Sequence, residues 1–287
     1  MKLKHLIAGL CCAASLTPAG LRAAGLEADA AISRKIHEAH KDSVIWVSAV
    51  SKITFTSSES AGGALPEREQ KFDTLGTVID GSGMVVAALS TLDPTKLISG
   101  REVPTRNGKV TLDASVIVKE IKLILPDGTE VPADMVMKDY DLDLAFLRPK
   151  ADAKELKGVT FTPVDLKDSA PGEIADLVVT LGRADEILNR QPQVGFGQIV
   201  TMTRKPRRFL RVDNGQPGCA CFSLEGKLLG IGVTRISKEK GAVTVILPAA
   251  DVLEIADQAK TAKPIVADEK PKPAAAGDKP APATEPK

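Results

Sequence analysis

The sequence predicts an all-β domain, a barrel or sandwich of short antiparallel strands with a helix at each end. Segments rich in β-formers recur between turn-forming stretches, and helical spacing occurs only near the two ends. Hydrophobic residues make up 43% of the chain but aromatic residues only 3%. That content is ample for one buried core, and the core must be aliphatic.

In chain order, Met1-Lys-Leu-Lys-His5 precedes an apolar run from Leu6 to Leu16 and then small residues around Ala19, Ala23 and Ala24. This pattern predicts a secretory signal peptide over residues 1–24, because the run falls far short of the roughly 20 residues that cross a bilayer. The protein is therefore expected to be exported, to the periplasm or the extracellular space. Cys11 and Cys12 lie in this leader, and Ala8-Gly-Leu10 lacks the residue order of a lipidation site, so no lipid anchor is expected. Residues 25–261 form the predicted domain. Ile32, Ile36 and Ala39 recur at helical spacing, and strands are expected over 43–50, 77–88, 116–125, 143–147, 174–181, 197–203, 228–234 and 242–246. The polar stretches 57–70 and 94–109 carry Gly or Pro and read as surface loops. Pro248 opens a last helix with Val252, Ile255 and Ala256 on one face. Residues 262–287 are rich in Lys, Pro, Ala and Glu and read as a disordered tail, unable to bury enough apolar surface to offset ordering entropy.

The formal net charge is +1, and loss of Lys2, Lys4 and Arg22 with the leader would bring it to about −2, so no global charge points to nucleic acid. Scarce aromatic platforms also argue against sugar and single-strand binding. No cofactor motif and no ligand-spaced metal cluster is present; His37 and His40 share a helix face but lack accompanying Cys or carboxylate ligands.

Three stretches in order carry a family resemblance: Gly76-Thr-Val-Ile-Asp-Gly-Ser-Gly-Met-Val-Val86, then Leu125-Pro-Asp-Gly-Thr-Glu-Val-Pro-Ala133 with Asp141-Leu-Asp-Leu-Ala-Phe-Leu147, then Asn214-Gly-Gln-Pro-Gly-Cys-Ala-Cys-Phe-Ser-Leu-Glu-Gly-Lys-Leu-Leu-Gly-Ile231. They resemble, respectively, the hairpin leading to the catalytic histidine, the aspartate segment and the nucleophile loop of trypsin-like serine peptidases of the HtrA branch. The likeness runs from about Ile32 to Lys260. It implies two six-stranded antiparallel β-barrels with short terminal helices, and no peptide-binding domain of the PDZ type is expected after Lys260.

Acyl transfer of this type requires a hydroxyl, a base, a carboxylate that orients the base, and backbone N–H donors for the oxyanion. The resemblance places Ser90 at the histidine position, Asp143 at the aspartate and Pro217 at the nucleophile, within a former oxyanion loop that includes Gly215, Gln216 and Gly218. Serine cannot accept the proton, and no histidine follows residue 40. Proline removes both the attacking hydroxyl and one oxyanion N–H. Asp143 reads either as a structural carboxylate bonded by backbone or Ser90, or as a surface aspartate at a strand start.

Cys219 and Cys221 are the cysteines of the mature chain, and a bridge between them in a regular strand would be strained. They read as buried thiols acting as small apolar residues, with redox sensing or intermolecular pairing as alternatives. Cys219 as substitute nucleophile would require a two-residue slip and still lack a base. Arg204, Lys205, Arg207, Arg208 and Arg211 form a basic cluster, either a solvated hairpin or a docking patch for an anionic partner, including a membrane surface. The expected function is that of an inactive pseudopeptidase that binds a protein or peptide. An unconventional serine endopeptidase is the alternative, and active relatives or a second copy are further partner options.

Overall fold

The computed structural model describes residues 18–57, 67–105, 108–237 and 241–265. The expected leader up to residue 17, most of the expected 57–70 loop and the expected tail from residue 266 lie outside them.

Helix α1 (Pro18–His40) leads into β1 (Val44–Ser57), β2 (Arg68–Val78), β3 (Val85–Ala88) and the single turns α2 (Leu89–Leu92) and α3 (Thr95–Ile98). Next come β4 (Arg101–Thr105), β5 (Gly108–Ile124), β6 (Glu130–Asp139) and β7 (Leu144–Pro149). Then β8 (Leu177–Arg183), β9 (Pro192–Thr203), β10 (Phe209–Val212), β11 (Ala220–Ser223), β12 (Leu228–Ser237) and β13 (Gly241–Pro248) precede α4 (Ala249–Ala259). The order β1-β2-β3-β7-β6-β5 closes through β5–β1 pairing into a first antiparallel barrel, with β4 appended to β5. The order β10-β13-β12-β11-β8-β9 closes the second. Closure leaves few free sheet edges, which is how an antiparallel sheet avoids unpaired backbone groups.

Strand alternation divides the core in three. In β1, Ile45, Val47 and Ala49 point into the first barrel with Val85, Leu123 and Leu147. Val178, Ile199, Leu210, Cys219, Cys221 and Ile246 fill the second barrel. A third cluster, including Leu75, Val86, Phe146, Leu181, Phe222 and Val245, joins the barrels and takes in Ile36 of α1 and Val252 of α4. These residues are almost all aliphatic, as the composition requires.

The expected loop over 94–109 is corrected: it contains α3 and the edge strand β4, paired from Arg101↔Leu112 to Thr105↔Gly108. An edge strand has one side in solvent, so polar residues and Pro104 are tolerated there and imitate loop chemistry. Short β10 and β11, absent from the expected strands, are likewise held by long-range pairing, β10 with β13 and β11 with β8. The first residues after α4 are pinned: Arg148 donates to the carbonyls of Ala259, Lys260 and Ala262, and Ile265 N–H donates to Met135. Arg148 thereby satisfies carbonyls that a helix C-terminus leaves without partners.

Candidate functional site

Ser90 sits in α2, directly after β3, and Asp143 precedes β7. Pairing of β3 with β7 (Ala88↔Leu144) brings them together, and Leu89 N–H donates to the Asp143 carbonyl at 3.0 Å. Asp143 adopts φ 62°, a left-handed conformation that aspartate tolerates better than most residues. Its carboxylate accepts three hydrogen bonds: Ser90 N–H to Oδ1 (2.6 Å), Ser90 Oγ–H to Oδ2 (3.1 Å) and Thr234 N–H to Oδ2 (2.6 Å). The Ser90 hydroxyl thus donates where a triad imidazole would. Burial pushes the Asp143 carboxyl above its ordinary range, while the Thr234 and Ser90 bonds pull it back.

The loop before β11 meets the same strand two residues away. Gly218 N–H donates to Gly232 O (2.8 Å), and Gly232 N–H donates to Cys219 O (2.8 Å). Thr77 Oγ donates to Gly218 O at 2.8 Å, so the loop lies against the first barrel. Gly218 has φ 77°, and a Cβ there would stand 1.9 Å from the Leu75 carbonyl oxygen, so the approach requires glycine. Residues two apart in a strand are separated by about 6.6 Å, so Ser90, Asp143 and the Pro217 loop converge on Gly232–Thr234, at the junction of the barrels. Pro217 has no N–H, and the Gly215 N–H is directed at Val212 O (3.5 Å). In this loop residue 217 therefore offers no donor, and the Gly215 N–H points away toward Val212.

A cavity of about 200 Å³ opens beside Ser90, walled by Ser90, Lys96, Tyr140, Asp141, Arg235 and Ile236, with Pro217 not among its walls. Asp93 underpins it: its buried carboxylate accepts Tyr140 OH (2.8 Å), Lys138 Nζ (3.2 Å) and Thr95 Oγ (2.6 Å). Burial and the Asp93 charge push the Tyr140 phenol well above its ordinary range, so it stays a donor. Along the other wall, Gly232 and Thr234 turn their N–H groups away from β13, and the period of two turns the Ile236 N–H the same way, toward the cleft.

The histidines stand elsewhere. His40 stacks on Phe222 with ring centroids 4.7 Å apart, and burial lowers its pKa. Phe222 belongs to the cluster between the barrels, whereas Cys221 of β11 and Cys219 just before it belong to the core of the second barrel. Both cysteines are free and buried; burial pushes the Cys219 thiol up to about 11 and Cys221 well above its ordinary value. A protonated thiol walled off from the nearest imidazole is a poor nucleophile.

Of the basic cluster, three members are engaged by the chain itself. Arg207 pairs with Asp251 of α4 (2.7 Å), Arg208 with Glu173 (3.1 Å) and the Gly172 carbonyl, and Arg211 donates to Thr244 O (2.7 Å). Arg204 and Lys205 are the exposed members, at the β9–β10 turn. Among the described residues no group of three or more His, Cys, Asp or Glu could hold a metal, and no helix is long and apolar enough to cross a membrane.

Comparison with known proteins bears on the fold. The sequence model of the trypsin-like peptidase domain matches residues 75–231. No curated protein matches the chain. Among solved structures, the apo MamO protease domain from Magnetospirillum magneticum is similar, at 15% identity, covering 76% of this chain and 98% of that chain, with a TM-score of 0.45.

Proposed function

We propose, for a chain that belongs to the trypsin-like peptidase family, that it is a catalytically inactive member, of HtrA-like type, which is exported and binds protein segments in extended form. One observation carries this reading: the Asp143 carboxylate, which would orient a catalytic base, is occupied by Ser90 and Thr234, with no imidazole bonded to it among the described residues. Loss of a nucleophile or base costs on the order of a millionfold, and loss of an oxyanion donor a further hundred- to thousandfold. Binding does not depend on those groups. An extended segment can add to a strand through backbone hydrogen bonds, and the Ile236 N–H facing the cavity supports that mode.

The Ser90 hydroxyl on a carboxylate of raised pKa favours a second reading, an unconventional hydrolase with Ser90 as nucleophile. One experiment separates the two. The protein is expected to resist labelling by a fluorophosphonate, to leave unfolded casein uncut, and to bind that casein. Ile236→Pro removes an N–H that β13 does not use, so it should weaken binding about tenfold relative to Ile236→Ala, which keeps that N–H. Labelling or cleavage that disappears with Ser90→Ala would overturn the proposal.

A further inference from the structure

The β8–β9 ribbon leaves half of its outer face uncovered. Leu181 pairs with Val194 and Val179 with Phe196, so these four side chains share one face. On the β8 side, beneath the inter-barrel core and α1, Val179 and Leu181 are 0% and 2% exposed. On the β9 side Val194 and Phe196 are 40% and 41% exposed. The ribbon ends in a turn that carries Ile187 and Leu188, 87% and 62% exposed. That turn is held rigidly: Asp185 accepts the Leu188 N–H, and Asn189 and Arg190 both take left-handed φ of 54° and 52°. Fixing an aliphatic pair in water by a strained turn points to use rather than chance.

In a chain of 26% charged residues, β9 (Pro192–Thr203) contains none across its 12 positions. The strand is paired on both sides, by β8 and β10, so its backbone is satisfied and only its face is open. We propose that this face is a homodimer interface, in which the outer surface of β9 packs on β9 of a second copy with Phe196 as the central anchor. The absence of charge suits a second copy of the same face. Across a two-fold axis each patch meets itself, so any charged residue near the axis would face its own like. Like charges so apposed cost several kcal/mol, and an uncharged strand carries no such cost. A face built for an ionic partner would instead carry the opposite charge. Exposed Arg34, Lys35 and Glu38 of α1, the helix that contacts both strands, supply the polar rim that such contacts show around an apolar centre. The inference is independent of whether the cleft is catalytic.

Sedimentation velocity of the full chain from low to high micromolar concentration tests it. The native protein should sediment at twice the monomer mass, and Phe196→Asp should weaken self-association by at least about tenfold. Val194→Lys, which sets ammonium against ammonium across the axis, should do the same if the first variant folds poorly. Val243→Asp, at a similarly exposed apolar position on β13, should leave the dimer intact. A native chain that stays monomeric, a dimer indifferent to both β9 variants, or a monomer that uses Phe196 to bind lipid vesicles would each refute the interface.

Discussion

Asp143 and His40 show what single residues decide. Asp143 accepts from Ser90, 53 positions earlier, and from Thr234, 91 positions later, and so ties the first barrel to the second. A carboxylate with three donors is satisfied despite its burial. His40 is the opposite case, since its Nδ1 is buried and lacks a partner among the described residues. Its pKa is lowered by burial, so the folded state binds the proton less readily than the unfolded state. The stability it permits is present above the unfolded value of about 6.5 and is lost as pH falls from there through the lowered folded pKa. Thermal melting should therefore weaken between neutral and mildly acidic pH, and His40→Phe, which keeps a ring against Phe222 but cannot take up a proton, should flatten that dependence. An unchanged pH profile in the variant would exclude His40 as its source.

At the scale of elements, one buried arginine holds the junction of α1, β1 and β8. Arg183, 4% exposed, donates to the carbonyls of Val44 (2.5 Å), Arg190 (3.0 Å) and Lys41 (3.1 Å), and pairs with Asp42 Oδ1 at 3.0 Å. Nearby, Trp46 Nε1 donates to Ala184 O at 2.9 Å and binds β1 to the same ribbon. Replacing Arg183 by Met keeps the aliphatic stem but strands three carbonyls, so it should cost about 2–3 kcal/mol in urea unfolding. Trp46 is the only tryptophan, so a red shift of native fluorescence in that variant would report local opening of the junction. An unshifted spectrum at wild-type stability would show that α1 and β8 dock without Arg183.

The whole molecule carries the double-barrel frame of the trypsin-like peptidase family around Asp143. Asp143 remains oriented, and α2 still presents residue 90 to it, so much of the geometry for a triad persists. The double variant Ser90→His, Pro217→Ser should therefore react with a fluorophosphonate, while each single variant should not, because nucleophile and base act as a unit. Casein turnover should stay a hundred- to thousandfold below that of an ordinary enzyme, since the Gly215 N–H is directed at Val212 O. Inert single and double variants alike would mean that the loop, and not only the two side chains, has left the catalytic arrangement.

An all-β domain with flanking helices was legible in the sequence, because β-periodicity and turn residues act over a few positions, while the resemblance carried by the three motifs implied two barrels. Equally legible was the absence of any histidine after residue 40, a fact of residue identity. The 94–109 segment was misread because an edge strand shares the composition of a loop, and β10 and β11 went unseen because four residues carry too little pattern. Tertiary structure alone decided that Arg207, Arg208 and Arg211 bind the chain itself, that both thiols face a sealed interior, and that β9 is left bare beside α1. Each of these depends on which distant strand or helix covers a face. That is set by long-range packing, which spacing along the chain does not encode.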